Sequence, residues 1–237
     1  MAKKILITGA SSGIGEQTAR YLSEQGYETI LVARNAEKLN RMAEELPSTT
    51  YTFPMDLSEL EKIEEIYQFC QKNGIILDGL VHCAGLARHY AVKMNDIDDM
   101  HMTFRVNYDA FVELVKFFSM RKYSKKGSSV IVMSSLSAIT CRASTLNYSA
   151  SKAALNAAVK VMAKELGRRS IRVNSLLPGY VITPMTSDES LAADVDKSQP
   201  LGFIEPEYIA YMIEFLLSDK SKYITGANIP ISAGMNF

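Results

Sequence analysis

Tyr148 and Lys152 form a Y-x-x-x-K pair. At that spacing both side chains leave one face of a helix, one turn apart. A free phenol, with a pKa of about 10, is a poor base at neutral pH, and a neighbouring ammonium lowers that value by stabilising the phenolate. The pair therefore reads as an acid/base device whose amine can also bond a ribose. Ser135 precedes it by one loop and ends an apolar run, Ser129-Val130-Val132-Met133 with Ile131 between, that reads as a strand. The carboxyl ends of strands are where open α/β sheets bind ligands. A hydroxyl there can donate to a substrate carbonyl oxygen. Ser134 and Ser137 are its neighbours and competitors, and strand alternation turns Ser134 to the other side.

A second group of residues suits a phosphate. The run Thr8-Gly9-Ala10-Ser11-Ser12-Gly13-Ile14-Gly15 follows the apolar strand pattern of Lys4-Ile5-Leu6-Ile7 and opens a helical pattern. Glycine permits the tight turn and the close approach of backbone to a pyrophosphate. The N–H groups and dipole of the helix start then favour the negative charge. A ligand-free tight turn is the plainer reading, but the strand-loop-helix context is the one a dinucleotide needs. The next strand ends Leu31-Val32-Ala33-Arg34-Asn35. Ala33 stands where a carboxylate for the adenosine ribose is expected, and Arg34, a permanently charged planar fork, suits a 2′-phosphate. NADP(H) is thus favoured over NAD(H), with Arg34 opening the next helix in solvent as the alternative. Asp56, after a third strand, can accept from an adenine amino group or charge the start of a helix.

Together these residues resemble the short-chain dehydrogenase/reductase family, in particular 3-oxoacyl-[acyl-carrier-protein] reductase-like members, over nearly the whole chain. Thr8 to Gly15 matches its TGxxxGxG loop, with Gly9, Ser11, Ser12, Gly13, Ile14 and Gly15 toward the cofactor. Asp56-Leu57 matches its adenine-side acid. Asn107, Ser135, Tyr148 and Lys152 match its catalytic tetrad. Pro178-Gly179, Val181 and Thr183 match the segment beside the nicotinamide. The resemblance implies a Rossmann-type fold and carbonyl reduction: Tyr148 donates the proton, Ser135 polarises the oxygen, Lys152 bonds the ribose and lowers the Tyr148 pKa, and Asn107 fixes a water beside Lys152. Two departures stand out. The family's NNAG is His82-Cys83-Ala84-Gly85 here, keeping Ala84 and Gly85 at the cofactor but losing the Asn pair that braces the sheet. Ser12 stands where many NADP-preferring relatives carry a cation, which leaves that preference to Arg34.

The elements that must hold these groups are legible as alternating patterns. Strands are predicted over 4–8, 28–33, 51–53, 79–83, 129–134, 171–177 and 228–232, and helices over 14–23, 36–46, 58–71, 98–123, 148–168 and 206–217. Ser58 and Glu61 form a capping-box pattern for the third helix. About seven strands with helical crossovers predict one doubly wound α/β domain over 1–237, its parallel sheet covered on both faces. The stretch 186–199 is the least patterned.

Composition narrows the class. The 237 residues carry 26 Lys+Arg and 26 Asp+Glu, so no global field draws the chain to nucleic acid or an acidic membrane. A hydrophobic fraction of 47% with 22% charged residues is that of a globular protein. Cys70, Cys83 and Cys141 form neither a disulfide framework nor a zinc pattern. With no signal-peptide or membrane-span pattern, a reducing cytoplasm is expected. Leu86, Arg142 and Tyr180 are expected at the substrate, with Ser135 and Tyr148. Arg88, His89 and Arg142 can receive an anion or simply be surface charges. The substrate is a small carbonyl or alcohol compound: acyl thioester, sugar and simple ketone all stay open. The apolar tail fits a homodimer or homotetramer. A dinucleotide-binding regulator or scaffold with vestigial catalysis is the alternative, and an isomerase or dehydratase of the same family would need a longer substrate region.

Overall fold

The computed structural model describes residues 2–186, 195 and 198–235. Its strands are β1 (Lys4–Thr8), β2 (Glu28–Ala33), β3 (Thr50–Pro54), β4 (Leu77–His82), β5 (Ser124–Met133), β6 (Arg172–Pro178) and β7 (Asn228–Ile231). They form one sheet in the order β3-β2-β1-β4-β5-β6-β7, and every pairing is parallel. The helices described are α1 (Gly13–Glu24), α2 (Ala36–Glu45), α3 (Ile63–Lys72), α4 (Ile97–Phe104), α5 (Ala110–Phe118), α6 (Ser137–Thr140), α7 (Leu146–Leu166) and α8 (Pro206–Leu217).

Strand alternation divides the core in two. Leu6, Leu80 and Val130 pack with α3, α5 and α7 through Ile66, Phe111 and Leu155. Ile5, Ile7 and Ile131 pack on the other face with α1, α2 and α8 through Leu22, Leu39 and Ile213. All of these side chains are fully buried, and each contributes about 1.5–3 kcal/mol. A parallel strand buried on both faces must read as a continuous apolar run, which is why the strands stood out in the sequence. Strand order reverses at β1, which has β2 on one side and β4 on the other. The crevice outside the carboxyl ends of β1 and β4 is therefore the place for a ligand.

Three elements differ from expectation. The capping box at Ser58 and Glu61 does not form: Asp56 Oδ1 accepts from the Ser58 N–H at 2.9 Å, and Arg105 takes the Ser58 carbonyl. The chain there makes a 3₁₀ turn, Leu60–Lys62, before α3 begins. Second, the predicted helix over 98–123 is α4 and α5 joined by a π-helical turn, Arg105–Asp109, and it stops at Phe118. Asp96 caps its start, accepting from the N–H groups of Asp98 and Asp99. Third, α7 begins two residues before Tyr148, at Leu146. The unpatterned stretch 186–199 lies mostly outside the described residues. Among the described residues no helix is long and apolar enough to cross a membrane.

Candidate active site

A cleft of about 620 Å³ opens at the reversal point. Gly9 sits at its base with φ +67°, and a Cβ there would come within 2.6 Å of the Ala84 nitrogen. Gly15 is equally constrained, since a Cβ would meet the Gly9 carbonyl oxygen at 2.3 Å. The glycine loop is thus folded on itself and pressed against the chain leaving β4. No side chain caps the start of α1, whose Ser12, Gly13, Ile14 and Gly15 line the cleft. An uncapped helix start with glycines on both sides fits a phosphate group. At the far end, exposed Arg34 follows buried Ala33 out of β2, beside Asp56 and Leu57. The Asp56 carboxyl is held below its ordinary range, chiefly by the Ser58 N–H and also by the Arg34 charge. These groups fit the two ends of a dinucleotide.

The third wall carries the reacting side chains. Ser135 follows β5, and Tyr148 and Lys152 come from the first turns of α7. All three line the cleft with Ala84, Gly85 and Leu86 after β4 and Pro178, Gly179, Val181 and Thr183 after β6. Burial raises the Tyr148 phenol above its ordinary pKa, and a hydrogen bond from Ser135 pulls it back. The Lys152 amine has a backbone partner of its own. Its Nζ donates to the Met133 carbonyl at 2.7 Å and lies 5.7 Å from the Tyr148 ring centroid. Burial lowers its own pKa to about 8. The ammonium donates to a strand carbonyl, and the burial that raises the phenol favours its neutral form. Ser134 is committed elsewhere, its hydroxyl donating to the Lys152 carbonyl at 3.0 Å. That leaves Ser135, whose Oγ accepts from the Ser137 N–H at 3.1 Å.

Asn107 stands behind the cleft, fully buried in the π-helical turn. Its Oδ1 accepts from the Leu86 N–H at 2.7 Å; its Nδ2 donates to the Leu86 carbonyl and to Ser151 Oγ, each at 3.0 Å. It so clamps the chain at Gly85, where a Cβ would lie 3.2 Å from Asn107 Oδ1 and 3.3 Å from Lys152 Nζ.

The missing Asn pair has a replacement. His82 Nδ1 and Thr8 Oγ1 are 2.8 Å apart, tying β1 to β4 beside the glycine loop. His82 is fully buried, rests against Phe111, and its Nε2 has no protein partner among the described residues. Burial, with the Lys152 charge, drives its pKa from 6.5 to about 3. Between those values the unfolded chain binds the proton and the folded one does not, so stability rises with pH through that window and is lost as pH falls. Acidification from neutral to pH 3 is expected to cost on the order of 4 kcal/mol through this residue. Urea midpoints across that range check it: His82→Asn, which keeps a polar partner for Thr8, is expected to flatten the slope, and an equal slope in both proteins would place the acid sensitivity elsewhere.

Some expected residues do not reach the cleft. Arg142 lies over the Tyr180 ring at 5.5 Å, and Tyr180 meets Phe203 edge-on; neither lines the cleft, unlike Leu86. Of the residues read as a possible anion site, Arg88 pairs with Asp99, and the His89 ring stands edge-on to Tyr148 at 6.3 Å. Cys83 borders the cleft half-buried, its thiol pushed up to about 12 by burial. Sequence reading missed Met102, Val106 and Met133, which also line it. It missed buried Gln199, too, whose Oε1 accepts from the Tyr180 N–H at 2.9 Å and whose Nε2 donates to the Tyr180 carbonyl at 3.1 Å. Gln199 sits in an unpatterned stretch, where nothing local could single it out.

A family model described as Enoyl-(Acyl carrier protein) reductase matches residues 9–236. The 3-oxoacyl-[acyl-carrier-protein] reductase FabG of Thermotoga maritima is 33% identical over 240 residues, covering 98% of this chain and 97% of that protein. The L-xylulose reductase of Caenorhabditis elegans is 31% identical, covering 99% and 96%. Among solved structures, a dehydrogenase/reductase from Sinorhizobium meliloti superposes with a TM-score of 0.94 at 28% identity, covering 100% of this chain and 96% of that one.

Proposed function

From the premise that this chain belongs to the short-chain dehydrogenase/reductase family and is an NAD(P)-dependent oxidoreductase acting between C=O and CH–OH groups, we propose an NADP(H)-dependent reductase of a small carbonyl compound, with Tyr148 as its general acid. One observation carries the reading: the Tyr148 phenol, the Ser135 hydroxyl and the buried Lys152 amine line one cleft with a glycine-rich helix start.

Gly9, Ser11, Ser12, Gly13, Ile14 and Gly15 would hold the diphosphate, Arg34 the 2′-phosphate, and Asp56 with Leu57 the adenine. Ala84, Gly85, Lys152, Pro178, Gly179, Val181 and Thr183 would hold the nicotinamide riboside. When bound, the dinucleotide supplies the hydride for reduction and accepts it in oxidation. Ser135 orients and polarises the carbonyl oxygen by donating a hydrogen bond. Tyr148 gives that oxygen its proton, a role favoured by the burial that keeps the phenol neutral. Lys152 anchors the ribose side and, with a pKa of about 8, can take part in replacing the proton. Asn107 holds Leu86 and Gly85 in register with Lys152. In oxidation the same groups act in reverse.

Support for NADP(H) comes from the pairing of a cation with an absent carboxylate at the end of β2. The chain is further proposed to work in the cytoplasm as a homo-oligomer. Val161 on α7 and Tyr208 on α8 remain exposed, as apolar groups at a subunit contact would be in a single chain. The test is purified protein with NADPH and a panel of simple ketones, keto sugars and acyl thioesters. Loss of NADPH absorbance with at least one carbonyl class is expected. NADPH binding with no turnover on the whole panel would instead make the protein a dinucleotide-binding regulator.

A further inference from the structure

We propose that Asp99 decides the charge of the substrate: by holding Arg88 at the mouth of the cleft, it restricts the site to uncharged carbonyl compounds with an apolar body. The inference rests on the reductase reading and deepens it.

Three cations line the cleft among the described residues: Arg34, Lys152 and Arg88. Arg34 stands at the adenosine end and Lys152 is part of the reacting group. Arg88 is thus the cation left for an anionic substrate, and its guanidinium is already on the Asp99 carboxylate. Asp99 belongs to the first turn of α4, where the helix dipole favours a negative charge. Its N–H is held by Asp96 Oδ1 at 3.0 Å, and Asp98 adds another carboxylate to the same turn. An anion approaching Arg88 must displace that carboxylate, on a helix turn that carries a second one, Asp98. Arg142, the other cation of this region, lies against the Tyr180 ring outside the cleft lining. The cleft lining also includes the apolar side chains of Leu86, Met102, Val106 and Met185, while the His89 ring stands edge-on to Tyr148. Such a surface gives a neutral carbonyl body good contact, and among the described residues lining the cleft it offers a carboxylate or phosphate no cation beyond those three, so discrimination comes from repulsion as much as from fit.

The experiment uses the best neutral ketone from the panel and the same ketone carrying a carboxylate remote from the carbonyl. For the unaltered protein, kcat/KM is expected to favour the neutral compound by about tenfold or more. Asp99→Asn frees Arg88 and is expected to narrow that ratio by about tenfold at low salt, through a gain on the anion that added salt removes. Arg88→Ala keeps the carboxylates and is expected to leave the anion disfavoured, and the double variant is expected to lose the gain. Exposed ion pairs add little to stability, so these variants are expected to fold, which thermal melts check. Preference for the anion in the unaltered protein, or a ratio unmoved by Asp99→Asn in folded protein, overturns the proposal while leaving the reductase reading standing. NADPH consumption with no ketone at all removes both.

Discussion

Tyr148→Phe is expected to lower kcat for carbonyl reduction by about 10²–10⁴-fold, the range for loss of a positioned general acid, while the Kd for NADPH stays within a few-fold. The phenyl ring preserves the packing against His89, whose ring meets Tyr148 edge-on at 6.3 Å. Only the oxygen is lost, and with it both the proton donor and the partner of Ser135. Without that oxygen, hydride transfer would have to build negative charge on an oxygen met by Ser135 alone. Stopped-flow single turnover, which separates binding from chemistry, measures the effect, and NADPH fluorescence titration measures binding. A variant that binds NADPH normally and still turns over at near the unaltered rate would remove Tyr148 from its assigned role. A variant that loses NADPH binding would point to a structural part for the hydroxyl instead.

Arg34→Asp is expected to reverse the preference between NADPH and NADH. A charge-assisted hydrogen bond contributes about 1.5–3 kcal/mol, so its loss weakens NADPH binding by roughly 10–100-fold. The introduced carboxylate also repels a 2′-phosphate and can accept from the ribose hydroxyls of NADH, the arrangement that NAD-selecting sites use. Arg34 is exposed, next to the Asn35 side chain that accepts from the Lys38 N–H at 2.9 Å to cap α2. The substitution therefore leaves the cap and the core in place, and the fold is expected to tolerate it. The ratio of kcat/KM for the two cofactors, measured at constant ionic strength, is the readout. An unchanged ratio would mean that Arg34 does not read the phosphate, and with Ser12 at the other candidate position the preference for NADP(H) would then have no residue to rest on.

The glycine loop, the Y-x-x-x-K helix and the seven strands could be read from residue order because each is governed by local chemistry. A buried parallel strand must be apolar throughout. A turn with φ +67° at Gly9, where a Cβ would press on the Ala84 nitrogen, needs glycine. Two groups one helical turn apart must share a face. Packing between distant segments decided the rest. The capping-box pattern at Ser58 gave way because Asp56 took the Ser58 N–H and Arg105 drew off the Glu61 carboxylate. The loss of the Asn pair after β4 looked like a lost brace until strand register set His82 beside Thr8. Lys152 was expected to serve Tyr148, and its amine donates to the Met133 carbonyl, because the end of β5 lies closer to its amine than any spacing along α7 can reveal. Arg88 and Arg142, read as a possible anion site or as surface charges, have partners of their own in Asp99 and the Tyr180 ring, which come from other parts of the chain. Hydrogen bonds and ion pairs act over a few ångströms in space, and residue order constrains such distances only within a turn or a strand.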